Sequence, residues 1–176
     1  MHRNITDVSL VDLYDITKIG YAAFNACSNL TVIRYSKYCS IIDNYAFYNC
    51  SALKSIDIPD IVTSVGQYSF TNCPALQTMN IGSGISSIQT GVFGYYISLE
   101  PITIPIGITS LETNAFRGCS ALKTVTLLAT TPPTLDSNAF YDCSALTSII
   151  VPSGCGNTYK AAVIWSAYSS KIVEAE

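Results

Sequence analysis

A solenoid of stacked, near-identical turns is the fold this sequence predicts, and three observations predict it. Phe24, Phe47, Phe70, Phe93, Phe116 and Phe140 recur at intervals of 23, 23, 23, 23 and 24 residues, a period typical of stacked repeat units. Behind each Phe, the third residue is Cys27, Cys50, Cys73, Tyr96, Cys119 or Cys143, and the sixth is Leu30, Leu53, Leu76, Leu99, Leu122 or Leu146. The ninth and eleventh are Ile33 and Tyr35, Ile56 and Ile58, Met79 and Ile81, Ile102 and Ile104, Val125 and Leu127, Ile149 and Val151. That alternation, rich in β-branched types, marks a half-buried strand.

The elements follow in order. Residues 1–15 are the least regular and read as an irregular N-terminal cap or a partial repeat; one period back from Ile33 lands on Leu10, while Ile16 and Ile19 fall where Val62 and Val65 stand later. Residues 16–152 form six tandem units. Within them Pro59, Pro105 and Pro152 follow the strand directly and stop its ladder, since proline has no N–H to donate. A second short extended segment carries Cys39 and Ile42, Val62 and Val65, Ile85 and Ile88, Ile108 and Leu111, and in the last unit Leu135. It feeds a tight turn in which Gly20, Gly66, Gly91, Asn114 and Asn138 are expected to supply positive φ. In residues 153–176 the period is lost, and helical spacing from Thr158 to Glu174 predicts a C-terminal helical cap that lays Trp165 over the open edge of the last strand.

No single unit of about 23 residues encloses a core, but stacking sets like side chains above one another at ~4.8 Å. The core is therefore expected as ladders of Phe, Cys, Leu and Ile or Val. An apolar fraction of 49% against 12% charged residues supplies that core, the reverse of a disordered composition.

Composition also narrows function. The nine Lys and Arg are scattered singly in a chain of net charge −3, so neither nucleic-acid binding nor a polybasic membrane contact is expected. The apolar runs are too short to insert in a bilayer. The N-terminus lacks the charged start and apolar stretch of a signal peptide. Either the chain works inside a cell or it is a mature or excised piece of a longer exported protein.

The stretch N-Y-A-F-Y-N-C-S-A-L-K-S-I-D-I-P (Asn44 to Pro59) and F-R-G-C-S-A-L-K-T-V-T-L (Phe116 to Leu127) resemble the BspA-like, or treponemal-type, leucine-rich repeats. The resemblance covers about residues 16–152 and departs from the pattern at Tyr96, at Pro101 and near Thr130 to Pro133. It implies a right-handed leucine-rich repeat solenoid with a parallel β-sheet on its concave face, irregular or short extended segments on the convex side, and a place on the cell surface or in secretion, often for adhesion.

Catalysis is not expected. Five of the seven cysteines hold one repeat position, there is no C-x-x-C, and His2 is the only histidine. Zinc-ligand spacing and Ser-His or Cys-His pairs are thereby removed, and no phosphate-binding glycine motif appears. Like-pointing core thiols do not readily take disulfide torsion, so the cysteines read as free small hydrophobes, with Cys155, in the S-G-C-G turn, the only candidate for reactivity. The sequons at Asn4, Asn29 and Asn49 read as chance in a Ser- and Asn-rich chain. No cofactor or metal is expected.

What differs between copies is the row between the inward strand residues. Arg34, Asp57, Asn80, Thr103 and Thr126 hold one position; Lys54, Gln77 and Lys123 hold another, with Glu100 and Thr147. They are the expected concave-face contacts for a protein or glycan partner, with Tyr48, Tyr95 and Tyr141 as stacking residues beside them. The alternative is a structural spacer that presents other domains of a longer protein. A monomer is expected.

Overall fold

The structure, a computed structural model, describes residues 10–12 and 14–176. Each turn contributes one longer strand and one of two residues. The odd-numbered strands are the longer: β1 (Leu10–Asp12), β3 (Val32–Arg34), β5 (Ser55–Ile58), β7 (Thr78–Ile81), β9 (Pro101–Ile104), β11 (Thr124–Leu127) and β13 (Ser148–Val151). The even-numbered are β2 (Lys18–Ile19), β4 (Ile41–Ile42), β6 (Ser64–Val65), β8 (Ser87–Ile88), β10 (Ser110–Leu111) and β12 (Thr134–Leu135). Pairing is parallel and in repeat register, Ile56 beside Met79 and Val125 beside both Ile102 and Ile149. The chain is thus the parallel solenoid that the period predicts. In β1 the register is one residue off the periodic expectation, because Val11 and not Leu10 faces Ile33.

A third row joins the turns through the Phe segments. Ala22, Phe24 and Ala26 donate their amides to Asn44, Ala46 and Tyr48 of the next turn at 3.0, 2.7 and 2.7 Å, while Ala23, Asn25 and Cys27 donate back to Gly20, Ala22 and Phe24. Sending alternate amides outward requires left-handed backbone two residues before and two after the Phe. Tyr45 and Asn49, Tyr68 and Asn72, and Gly91 and Tyr95 all occupy it. Of the five residues expected at positive φ, only Gly91 and Asn114 are there. Gly66 serves close approach instead, since a Cβ on it would stand 2.4 Å from the Asn44 amide nitrogen.

The inward side chains form the expected ladders. Phe24, Phe47 and Phe70 stack at 5.2 and 5.1 Å with rings within 8° of parallel, and the series continues to Phe116 and Phe140 at 5.4 Å. All six Leu of the repeat are buried. The cysteines do more than fill space: the thiols of Cys50, Cys73, Cys119 and Cys143 donate to the carbonyls of Phe24, Phe47, Phe93 and Phe116, at 3.2, 3.6, 3.1 and 3.1 Å. Tyr96, the departure from the pattern, keeps that bond, its hydroxyl donating to the Phe70 carbonyl at 2.8 Å.

The stack is not uniform. The long-strand sheet is divided between β3 and β5 and again between β7 and β9, and the short-strand ladder is divided between β6 and β8. Both long-strand breaks fall beside a tyrosine that replaces a smaller inward residue, Tyr35 at the first and Tyr96 at the second. At the second, Pro101 also removes the amide that Thr124 and Ser148 use to reach the preceding turn. The Phe stack is widest there, 6.1 Å from Phe70 to Phe93, and the inward Met79 is only half-buried. One seam, between the Phe70 and Phe93 turns, thus crosses both strand ladders.

The C-terminal segment holds a helix, α1 (Gly156–Ala161), shorter than the helical spacing predicts. Ala162 is extended and Ile164 takes φ 67°, after which a 3-10 turn, Trp165–Lys171, leads into β14 (Ile172–Glu174). It is β14, not Trp165, that covers the edge of β13, with Ile149 beside Ile172. Trp165 instead ends the aromatic stack beside Phe140 at 6.4 Å, and its indole N–H donates to the Pro133 carbonyl at 2.7 Å.

Candidate interaction surface

Alternation along each long strand turns every second side chain outward. In β5 the Ile56 and Ile58 side chains are buried and Asp57 is exposed; β9 repeats this with Ile102, Ile104 and Thr103. Arg34, Asp57, Asn80 and Thr103 are all exposed, Thr126 is half-buried, and the row ends on Ile150 and Val173. Lys54, Gln77 and Lys123 are exposed just before their strands.

The geometry brings these residues together in groups. Asp57 and Asn80 are register partners, and the Asn80 amide donates to the Asp57 carboxylate at 2.7 Å. Glu100 and Lys123 form an ion pair at 2.9 Å. Thr103 and Thr126 are register partners on β9 and β11. The eight residues do not share one sheet, because the breaks set Arg34 apart on β3, Lys54, Asp57, Gln77 and Asn80 on the β5–β7 pair, and Thr103, Lys123 and Thr126 on the sheet that runs to β14. The surface is polar at its middle and apolar at its C-terminal end, where Ile150 lies beside the half-exposed Val173.

Of the turn tyrosines, Tyr95 and Tyr141 are exposed and Tyr48 is half-buried. Tyr48 packs edge-on against Tyr45 at 5.6 Å. Tyr95 lies over Gly118, where a Cβ would come within 2.7 Å of its ring. The Arg117 guanidinium covers Tyr141 at 5.0 Å.

All seven cysteines are free. Burial pushes the Cys73 thiol up to about 12 and the Cys50 thiol higher still. At the end of the ladder burial raises the Cys119 thiol. Sequence reasoning passes over Tyr35, whose buried hydroxyl has no hydrogen-bond partner and whose pKa burial drives well upward. A phenol at a position otherwise held by Ile, Leu or Val was the available signal. Among the described residues no three His, Cys, Asp or Glu side chains group to hold a metal ion, and no helix is long and apolar enough to cross a membrane.

Turns with in-register parallel strands, a Phe–Cys–Leu core and an outward row of varied side chains define a leucine-rich-repeat solenoid. The family model described as a BspA type leucine rich repeat region, 6 copies, matches residues 1–123 and 87–170, and the chain belongs to that family. Among solved structures it is similar to a leucine rich cell surface protein from Faecalibacterium prausnitzii, with TM-score 0.65 and 29% identity over 93% of this chain and 51% of that one. It is also similar to a leucine-rich repeat protein from Eubacterium ventriosum, with TM-score 0.51 and 18% identity over 79% of this chain and 64% of that one. The chain thus spans about half of the first relative and under two thirds of the second. No curated protein matches it significantly.

Proposed function

We propose that this chain is a non-catalytic interaction module, displayed at the cell surface or secreted, that engages a protein or glycan partner along its long-strand face. One observation carries the reading: inward positions repeat from turn to turn, whereas the outward positions in register with them change from Arg34 to Asp57, Asn80, Thr103, Thr126 and Ile150. Packing constrains the first set; a solvated strand face leaves the second open to carry recognition. The cell-surface designation of the Faecalibacterium relative supports the location.

A spacer role is favoured by a different observation. Asp57 with Asn80 and Glu100 with Lys123 satisfy each other on the same face, as merely solvated residues do. The two readings separate on a triple variant, Asp57→Lys, Asn80→Tyr and Thr103→Lys, assayed against a partner captured by crosslinking to the wild-type chain. The interaction module loses binding with its melting temperature unchanged. Unaltered binding to that partner contradicts the long-strand site.

A further inference from the structure

The seam between the Phe70 and Phe93 turns opens a second surface, on the short-strand side. Elsewhere in that ladder each turn is tied to the one before by two amides. Thr63 and Gly66 reach Ser40 and Ile42 at 2.8 Å each, and Thr109 and Glu112 reach Ser86 and Ile88 at 2.8 and 2.9 Å. Ser86 and Gln89, the corresponding residues of the Phe93 turn, make no such bonds to Thr63 and Val65. The carbonyl edge of β6 and the amide edge of β8 therefore face each other unpaired, across a cleft of about 330 Å³.

Asn44, Ser64, Gln67, Ser86, Ser87 and Gln89 furnish its polar lining, and no lining residue is ionisable. Several of these groups are uncommitted: the Gln67 side-chain amide and the Ser64 and Ser86 hydroxyls make no hydrogen bond within the chain, whereas the Asn44 amide oxygen is held by the Gln67 N–H at 2.8 Å. An inserted peptide strand does not fit, because the Phe row still holds the same two turns together. Tyr68 donates to Thr90 at 3.0 Å and Asn72 to Gly94 at 3.0 Å, while Val65 and Ile88 stay buried beneath the cleft. An anionic ligand finds no countercharge, the carboxylates that touch the lining, Asp43 and Glu112, are already engaged by the Asn44 N–H and by the Ser87 and Ser110 hydroxyls, and an apolar ligand leaves these donors and acceptors unpaired.

We propose that this cleft is a binding site for a neutral, polyhydroxylated ligand, a short segment of uncharged glycan whose hydroxyls both accept from the β8 edge and donate to the β6 carbonyls and the side-chain amides. The volume lies at the lower end of ligand-sized clefts, ~300–1,000 Å³. The site is on a different ladder from the long-strand face, so either stands if the other fails.

The test is an array of short neutral hexose and N-acetylhexosamine oligomers beside sialylated and sulfated ones and extended peptides, followed by calorimetry with the strongest neutral trimer. Neutral oligomers bind; exposed Ser86→Trp, which fills the cleft, weakens the trimer by at least about tenfold. Gln67→Ala weakens it less, Asp57→Lys on the other face leaves it unchanged, and all three variants keep the wild-type melting temperature. Binding of no neutral oligomer, of charged glycans or peptides alone, or of a trimer that survives Ser86→Trp overturns the assignment.

Discussion

Cysteine at the third place behind each Phe has a volume that the core tolerates and an S–H that reaches a carbonyl one turn back, at 3.1–3.6 Å along the ladder. Such bonds are weak individually, but they explain why the one replacement, Tyr96, is also a donor. The same burial has a pH signature. Cys73 is raised from 9.0 to about 12, and Cys50, Cys119, Tyr35 and Tyr96 are raised with it. Folded-state pKa values above the unfolded ones mean that the native chain keeps protons the unfolded chain releases. Their stabilisation is therefore complete below pH 9 and is lost as pH rises through about 12. Urea midpoints are expected to hold from neutrality to about pH 8.5 and to fall steeply by about pH 11; a flat profile over that range contradicts the buried-thiol ladder. The carbonyl partner of the cysteine was not legible in sequence, because spacing reports that a side chain points inward and not what its polar atom meets there.

At the scale of elements, the strands and their register follow from the alternation behind each Phe, which is why Ile56, Ile102 and Ile149 are all buried at equivalent places. Phe47 lies between two rings at 5.2 and 5.1 Å. Phe47→Ala leaves a cavity between fixed neighbours and is expected to cost ~3–5 kcal/mol in chemical denaturation; a loss under ~1 kcal/mol contradicts the close-packed stack. The cap is less legible in the sequence. Apolar spacing from Tyr159 to Ile172 suits a helix, and a three-residue strand such as β14 is too short to show alternation of its own. What seats β14 is tertiary: the Glu174 carboxylate accepts from the Gly154 and Gly156 amides at 2.8 Å each, and those bonds hold its pKa below the usual carboxylate range. The turns depart from the sequence expectation for a related reason. Left-handed backbone falls on Tyr45, Asn49, Tyr68 and Asn72 because every second amide must reach the next turn, a demand of stacking that overrides the ordinary preference for glycine.

For the whole molecule, regularity makes the fold and irregularity makes the surfaces. The outward row was legible as the set of letters that change between copies, yet its division into three groups was not, since it depends on how Tyr35, Tyr96 and Pro101 disturb pairing between neighbouring turns. Tyr96 and Pro101 were visible as departures, but only the structure shows that they fall on one seam with the unpaired β6 and β8 edges and the 6.1 Å ring spacing. The claim that this seam is a real opening in an otherwise continuous stack is tested most directly by residue-resolved hydrogen exchange. Amides without an inter-turn partner open with little local cost. Ser86 and Gln89 are expected to exchange at least about tenfold faster than Thr63 and Gly66 in the turn before and Thr109 and Glu112 in the turn after; equal protection across the three turns would contradict it.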